Sequence, residues 1–154
     1  MTKILKASLI SILILLIAGF VYPLRNEYYK VSGSCKIENG DYSHQKIILK
    51  RDTLIIATLN EQKAFQFQLD YNTEYTVTFT KPNYITKTVL INTTNVSPAR
   101  IEFGFEPYFF SITLEQQPDS QHVYYKGPVA VVGYSAEFEE FNYRTFYKKT
   151  FEDK

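Results

Sequence analysis

The stretch that most constrains the fold runs from Ala64 to Thr93, AFQFQLDYNTEYTVTFTKPNYITKTVLINT. Phe65, Phe67 and Leu69 alternate with Gln66, Gln68 and Asp70, and Tyr75, Val77 and Phe79 alternate with Thr76, Thr78 and Thr80. Side chains point to opposite faces along a strand, so this pattern gives each strand one buried and one wet face. Two turn signals divide the stretch into three strands, at Asp70–Glu74 and at Lys81-Pro82-Asn83, where Pro fixes φ and Asn tolerates the left-handed region.

Upstream, the same logic gives three more strands: YYKVSGSCKI, QKIILKR and TLIIATL. They are separated by a turn at Glu38-Asn39-Gly40-Asp41, a tight link at Arg51-Asp52-Thr53 and a turn at Asn60–Lys63. Six short strands without a helical period between them predict a sandwich or barrel. The composition agrees, because the aromatic residues are all Phe and Tyr, which suit pleated, half-buried surfaces.

The polar run NTTNVSP, Asn92 to Pro98, is the one plausible internal boundary. Beyond it, Ile101, Phe103 and Phe105 share one parity, and Tyr108, Phe110, Ile112 and Leu114 take up the other. That change predicts a strand bent at Glu106-Pro107. Gln116–Gln121 reads as a loop and Pro128–Tyr134 as a strand covered on both faces. Phe141, Tyr143, Thr145 and Tyr147 predict a final strand, with a frayed end from Thr150. This aromatic tail is too apolar to stand free, so it is expected to pack on the first unit.

The N-terminus has a different character. Lys3 and Lys6 precede an uncharged, largely apolar run from Ala7 to Leu24, just long enough to cross a bilayer as a helix. The charge bias holds residues 1–6 in the cytoplasm and sends the remainder outside. The competing reading, a cleaved signal peptide, needs a small-x-small site that Ala18-Gly19-Phe20-Val21-Tyr22 does not offer convincingly. The expected organisation is therefore a cytoplasmic N-terminus (1–6), a transmembrane signal anchor or signal peptide (7–24), a β-sandwich domain (29–93) and a β-rich aromatic extension (99–149) packed on it. The expected fold class is all-β: an Ig-like or transthyretin-like antiparallel β-sandwich preceded by one N-terminal transmembrane helix.

The unit from about Tyr29 to Thr93 resembles the carboxypeptidase-regulatory-like domains, small transthyretin-like sandwiches found outside the cytoplasm. Val31, Gly33 and Cys35 stand at the opening Val-x-Gly-x-Val strand, and Ile47–Leu49 at the next apolar strand. Phe65, Tyr75-Thr76-Val77 and Tyr84 stand at the later aromatic positions. The chain departs from the pattern at Leu59-Asn60, which replaces Thr-Asp, and at Lys63 and Asn83, which replace glycines. The resemblance implies an accessory or interaction module and transfers no catalytic residue.

Chemistry is sparse. Cys35 is the single cysteine, so no intrachain disulfide forms, and it reads as a small apolar strand residue. A lipid-anchored Cys35 is rejected, because Arg25–Lys30 separates it from the apolar run. His44 and His122 belong to no metal-ligand spacing and read as surface loop residues. There is no phosphate loop, nucleophile elbow or acidic calcium loop. Glu137, Glu139 and Glu140, and Lys148 and Lys149, read as solvated charge clusters. Asn92-Thr93-Thr94 matches a short glycosylation pattern that arises often by chance. A formal charge of +1 argues against a general nucleic-acid binder.

No catalytic residue, metal or cofactor is therefore assigned. The expected function is a non-enzymatic, membrane-anchored extracytoplasmic module that contacts an envelope or surface protein. The turns Asp41–His44, Asp70–Glu74 and Pro118–His122 are the exposed candidates. The alternative is a carbohydrate-binding surface module, with Tyr124 and Tyr125 as stacking rings. An enzyme would need a pocket gathering His44 or His122 with carboxylates.

Overall fold

The computed structural model describes residues 27–146 and 149–153. Among the described residues the fold is all-β, with one short helix. The strands are β1 (Tyr28–Ile37), β2 (Lys46–Arg51), β3 (Leu54–Asn60), β4 (Ala64–Asp70), β5 (Glu74–Thr80) and β6 (Lys87–Asn92), followed by helix α1 (Pro98–Phe103). The second half adds β7 (Tyr108–Leu114), β8 (Gln121–Tyr125), β9 (Ala130–Ser135), β10 (Glu140–Thr145) and β11 (Lys149–Asp153). The first six match the alternating runs of the sequence to within one residue at most ends.

Two sheets share one core. The smaller has the order β4-β1-β7, the larger β10-β9-β6-β5-β2-β3, and β8 pairs with β11 as a separate two-stranded sheet. Val31, Cys35, Phe65, Phe67 and Leu69 of the smaller sheet join Ile47, Leu49, Val77, Phe79, Val89 and Ile91 of the larger in a single buried cluster. Phe65 meets Phe79 edge-on across the gap at 5.5 Å, and Phe110 lies 6.3 Å from Phe79. Burying each such side chain contributes roughly 2 kcal/mol of transfer free energy.

The three alternating runs do not form a meander. β4 pairs with β1, whereas β5 pairs with β2 and β6. The turn between β4 and β5 therefore crosses from one sheet to the other. Thr93, fully buried, fastens it: its Oγ1 accepts from the Thr73 amide at 3.0 Å and faces the carbonyls of Asp70 and Thr73 at 2.8 Å. The Thr93 carbonyl in turn accepts from the Asn72 amide.

The expected purely antiparallel sandwich needs correction. β1 runs parallel to β7, and β6 parallel to β9. Parallel neighbours require a long crossover, and here the chain leaves β6, contributes β7 to the opposite sheet and returns as β9. Strand alternation carries no information on partner or direction, so these pairings were not legible.

The predicted bent strand from Ile101 is also corrected, because residues 98–103 are helical. Ser97 caps the helix by accepting from the Arg100 amide, and Pro98 occupies its first turn, where a missing N–H costs nothing. The loop expected over Gln116–Gln121 gives way at Gln121 to β8, and the frayed end expected from Thr150 is instead part of strand β11. Their pairing, Val123 opposite Phe151 and Tyr124 opposite Thr150, satisfies both short backbones.

The expected membrane segment, Ala7–Leu24, lies outside the described residues. Among the described residues, no helix is long and apolar enough to cross a membrane.

Candidate functional site

The two ends of the paired sheets differ in chemistry. The end where Glu27 leads into β1 is the N-terminal pole, and the other is the distal pole. Tyr28 stands opposite Asp70, Glu74 opposite Asn92, and Ser135 opposite Glu140, which puts all these residues at the N-terminal pole. The three exposed turns singled out from the sequence are thus divided. Asp70–Glu74 lies at the N-terminal pole, while Asp41–His44 and Pro118–His122 lie at the distal one.

At the distal pole a shallow groove is lined by Gly40, Asp41, His44, Lys81, Tyr84 and Gln116, among others. It brings one histidine beside a carboxylate, the arrangement an enzyme reading requires. The contacts are nevertheless turn-building ones. Asp41 Oδ1 accepts from the Ser43 amide at 3.0 Å, the Ser43 hydroxyl at 2.6 Å and Lys81 Nζ at 3.2 Å. These donors, the Ser43 hydroxyl first, hold the Asp41 carboxyl at about 2, below its ordinary value. His44 has a left-handed backbone (φ 59°), and its amide donates to Glu61 Oε1 at 2.9 Å. His122 stacks on Tyr124 at 5.9 Å, away from this groove. Among the described residues, no three His, Cys, Asp or Glu side chains gather as metal ligands would.

Beside the groove lies a charge cluster of Lys87, Glu115 and Lys149, of which the sequence singled out Lys149 alone, as a solvated charge; here it is ion-paired. Lys87 occupies an inward position of β6 and is buried. Its Nζ donates to the Thr113 carbonyl and to Glu115 Oε1, both at 2.7 Å, while Lys149 donates to Glu115 Oε2 at 2.5 Å. Burial pushes the Glu115 carboxyl upward, but the bonds from Lys149 and Lys87 outweigh it and hold the carboxyl below its usual value. The signal was present in the sequence: Lys87 shares parity with Val89 and Ile91, which puts a charge on the core face. The cluster pins β11 to the end of β7.

Tyr124 and Tyr125 are successive residues of β8 and so point to opposite faces. The Tyr124 hydroxyl donates to Glu152 at 2.8 Å, whereas the Tyr125 ring sits under the Lys87 ammonium, 5.9 Å away. A polar cleft lies elsewhere, on the larger sheet, lined by Asn92, Asn95, Tyr134, Asn142 and Arg144 among others. Within the short glycosylation pattern, Asn92 Oδ1 accepts from the amide and hydroxyl of Thr94, so the motif also builds a local turn.

Cys35 is buried in β1. Burial pushes its thiol up to about 11, against smaller opposing effects from Gln45 and Lys87.

The strongest surface feature is the edge of the larger sheet. Leu54, Ile55 and Ile56 of β3 are 59%, 56% and 45% exposed. On its other side β3 has no strand neighbour among the described residues. The apolar run Leu54–Ala57 within TLIIATL gives no face preference, so periodicity alone did not reveal an exposed edge.

The chain matches no family model, no curated protein and no solved structure.

Proposed function

We propose that the protein is a non-enzymatic module, anchored in a membrane by Ala7–Leu24, whose β-domain lies outside the cytoplasm and binds a protein of the envelope or surface. The observation that carries the binding role is the edge strand β3, with three consecutive exposed aliphatic residues, Leu54–Ile56. Edge strands offer unpaired backbone groups, and proteins ordinarily blunt them with charge, proline, bulges or a covering element; β3 has an irregular register between Ile55 and Ala57 but no charge or proline from Leu54 to Leu59. An extended segment of a partner would pair with the β3 backbone and cover its side chains. A photo-crosslinking residue at Ile55, in cells at native expression, is expected to give one discrete adduct that the same residue at Gln66, on the polar edge strand β4, does not. Absence of any adduct at Ile55 would sink this reading.

The same reading takes residues 29–93 as a carboxypeptidase-regulatory-like accessory domain. Support comes from Gly33, which packs directly beneath Phe65, and from Asn83, which keeps the left-handed backbone (φ 64°) where the family pattern has glycine.

A carbohydrate-binding surface is the second reading, favoured by one observation. The cleft lined by Asn92, Asn95, Tyr134, Asn142 and Arg144 combines amide groups, a guanidinium and a ring, which suit sugar hydroxyls. Titration of the protein with soluble glycans tests it. Amide shifts centred on Asn142 and Arg144 support a sugar site, and an unperturbed spectrum removes it.

A further inference from the structure

Two of the most exposed aromatic residues belong to neighbouring tips at the N-terminal pole. Phe103, the last residue of α1, is 84% exposed, and Phe138, at the tip of the β9–β10 hairpin, is 63% exposed. The two tips are tied to each other, because Arg100 Nε of α1 donates to the Glu139 carbonyl of the hairpin at 3.1 Å. Below them, Phe105 packs against Tyr29 and Phe141 at 5.9 and 5.0 Å. An aromatic cluster, buried at Tyr29 and Phe141, thus underlies the pole at which the two unburied rings stand. Tyr28, also exposed, adds a third ring at that point.

The described chain begins at this pole, at Glu27. Only Arg25, Asn26 and Glu27 separate Leu24, the last residue of the uncharged run, from Tyr28. Four residue steps reach at most about 14 Å. The headgroup layer on each side of a bilayer is itself roughly 5–8 Å deep. A domain on so short a tether keeps its N-terminal pole against the lipid surface.

Resting on the anchor reading above, we infer that Phe103 and Phe138 are a membrane-contact site, seating the N-terminal pole on the headgroups of a zwitterionic bilayer. The flanking carboxylates favour that surface, the one guanidinium between the tips, Arg100, being directed onto the carbonyls of Glu139 and Gly104. Glu102, Glu137 and Glu139 are exposed around the two rings. Carboxylates and aromatic faces both attract the ammonium groups of choline and ethanolamine headgroups, and the carboxylates repel an anionic surface. Phenylalanine is among the apolar residues that surface-seated segments bury at the boundary of headgroups and acyl chains. Such seating fixes which way β3 and the distal pole face.

The full chain contains no tryptophan, so F103W and F138W each provide a single fluorescent reporter. F151W, on β11 at the distal pole, is the control at another exposed phenylalanine. Each full-length variant is reconstituted into phosphatidylcholine vesicles with and without brominated lipid. The expected result is a blue shift and loss of emission for F103W and F138W, with F151W unchanged, and a weaker loss when anionic phosphatidylglycerol is included at low salt. If the chain pellets with the vesicles but all three reporters behave alike, the anchor stands and the contact site is overturned. If the chain does not pellet with vesicles, the anchor reading fails and the contact site fails with it.

Discussion

The rings of Tyr29 and Phe141 stack face to face, 3.8 Å between centroids and 16° from parallel. Tyr29 belongs to β1 at the centre of the smaller sheet, and Phe141 to β10 at the edge of the larger. No ladder of hydrogen bonds joins those two strands, so this stack, with Phe105 edge-on to both rings, closes the N-terminal pole. Truncating Phe141 to alanine removes a buried ring and leaves a cavity between two sheets that cannot collapse freely. The expected loss is about 3 kcal/mol, read as a lower urea midpoint with unchanged slope. Phe141→Leu fills part of the space and should lose about half as much. A loss near zero for the alanine variant would mean that the pole is not closed by this contact.

Gly33 lies between β4 and β7, and a Cβ there would stand only 2.1 Å from the Phe110 carbonyl oxygen and 2.6 Å from Phe65 Cζ. The first neighbour is backbone and cannot move aside without breaking the parallel β1–β7 pairing. Gly33→Ala is therefore expected to destabilise by about 1–3 kcal/mol or more. Adding Phe65→Leu relieves the ring contact but leaves the carbonyl clash, so the double variant should not regain the stability of Phe65→Leu alone. Thermal unfolding of the four proteins in that cycle tests the claim.

These two sites show what the sequence disclosed and what it did not. The alternation of Phe65, Phe67 and Leu69, and of Tyr75, Val77 and Phe79, identified strands and their buried faces correctly, because burial on one face imposes a period of two. It said nothing of which strands pair, and so placed neither β4 beside β1 nor β7 parallel to it. Ile101 to Phe105 also read as a strand, since two-residue spacing in a five-residue window matches apolar positions of a short capped helix as well. Ser97-Pro98, a cap followed by a first-turn proline, was the better signal there. The candidate surfaces were less legible. Exposure of Ile55 depends on β3 being an edge, and exposure of Phe103 on where α1 ends, and both are tertiary facts.

Glu115 makes stability depend on acid. Its carboxyl titrates below its unfolded value of 4.5, because Lys149 and Lys87 donate to it. A depressed carboxylate contributes stability that is fully present above the unfolded value and is lost as the pH falls through the folded one. Between those values the unfolded chain binds more protons, so stability should fall as the pH is lowered from 4.5. Glu115→Gln is expected to flatten part of that fall and to cost about 2 kcal/mol at neutral pH, by leaving the Lys87 ammonium buried without its carboxylate. Asp41, held at about 2 by Ser43 and Lys81, should contribute to the same fall in a lower window, beginning near its unfolded 3.8. Urea midpoints at several pH values for wild type, E115Q and D41N separate the two. Curves that superimpose for wild type and E115Q would dismiss the linkage.

Cys35 should be silent until the protein unfolds. It is fully buried in β1, and burial pushes its thiol up to about 11. Only the thiolate attacks alkylating agents and disulfides, and at pH 8 about one such thiol in a thousand is ionised. Shielding by the core lowers the reactive fraction further, since reagent must wait for β1 to open. Labelling of native protein with a maleimide is therefore expected to proceed no faster than unfolding, and to accelerate with urea in step with the unfolding rate. Gln45→Leu, which removes the neighbour opposing the shift, should not speed it. In an oxidising compartment a lone exposed thiol would join chains pairwise, so the same burial predicts a single monomeric band on a non-reducing gel. Rapid labelling of native protein, at the rate of a free thiol, would show that the β4-β1-β7 sheet opens far more readily than its packing implies.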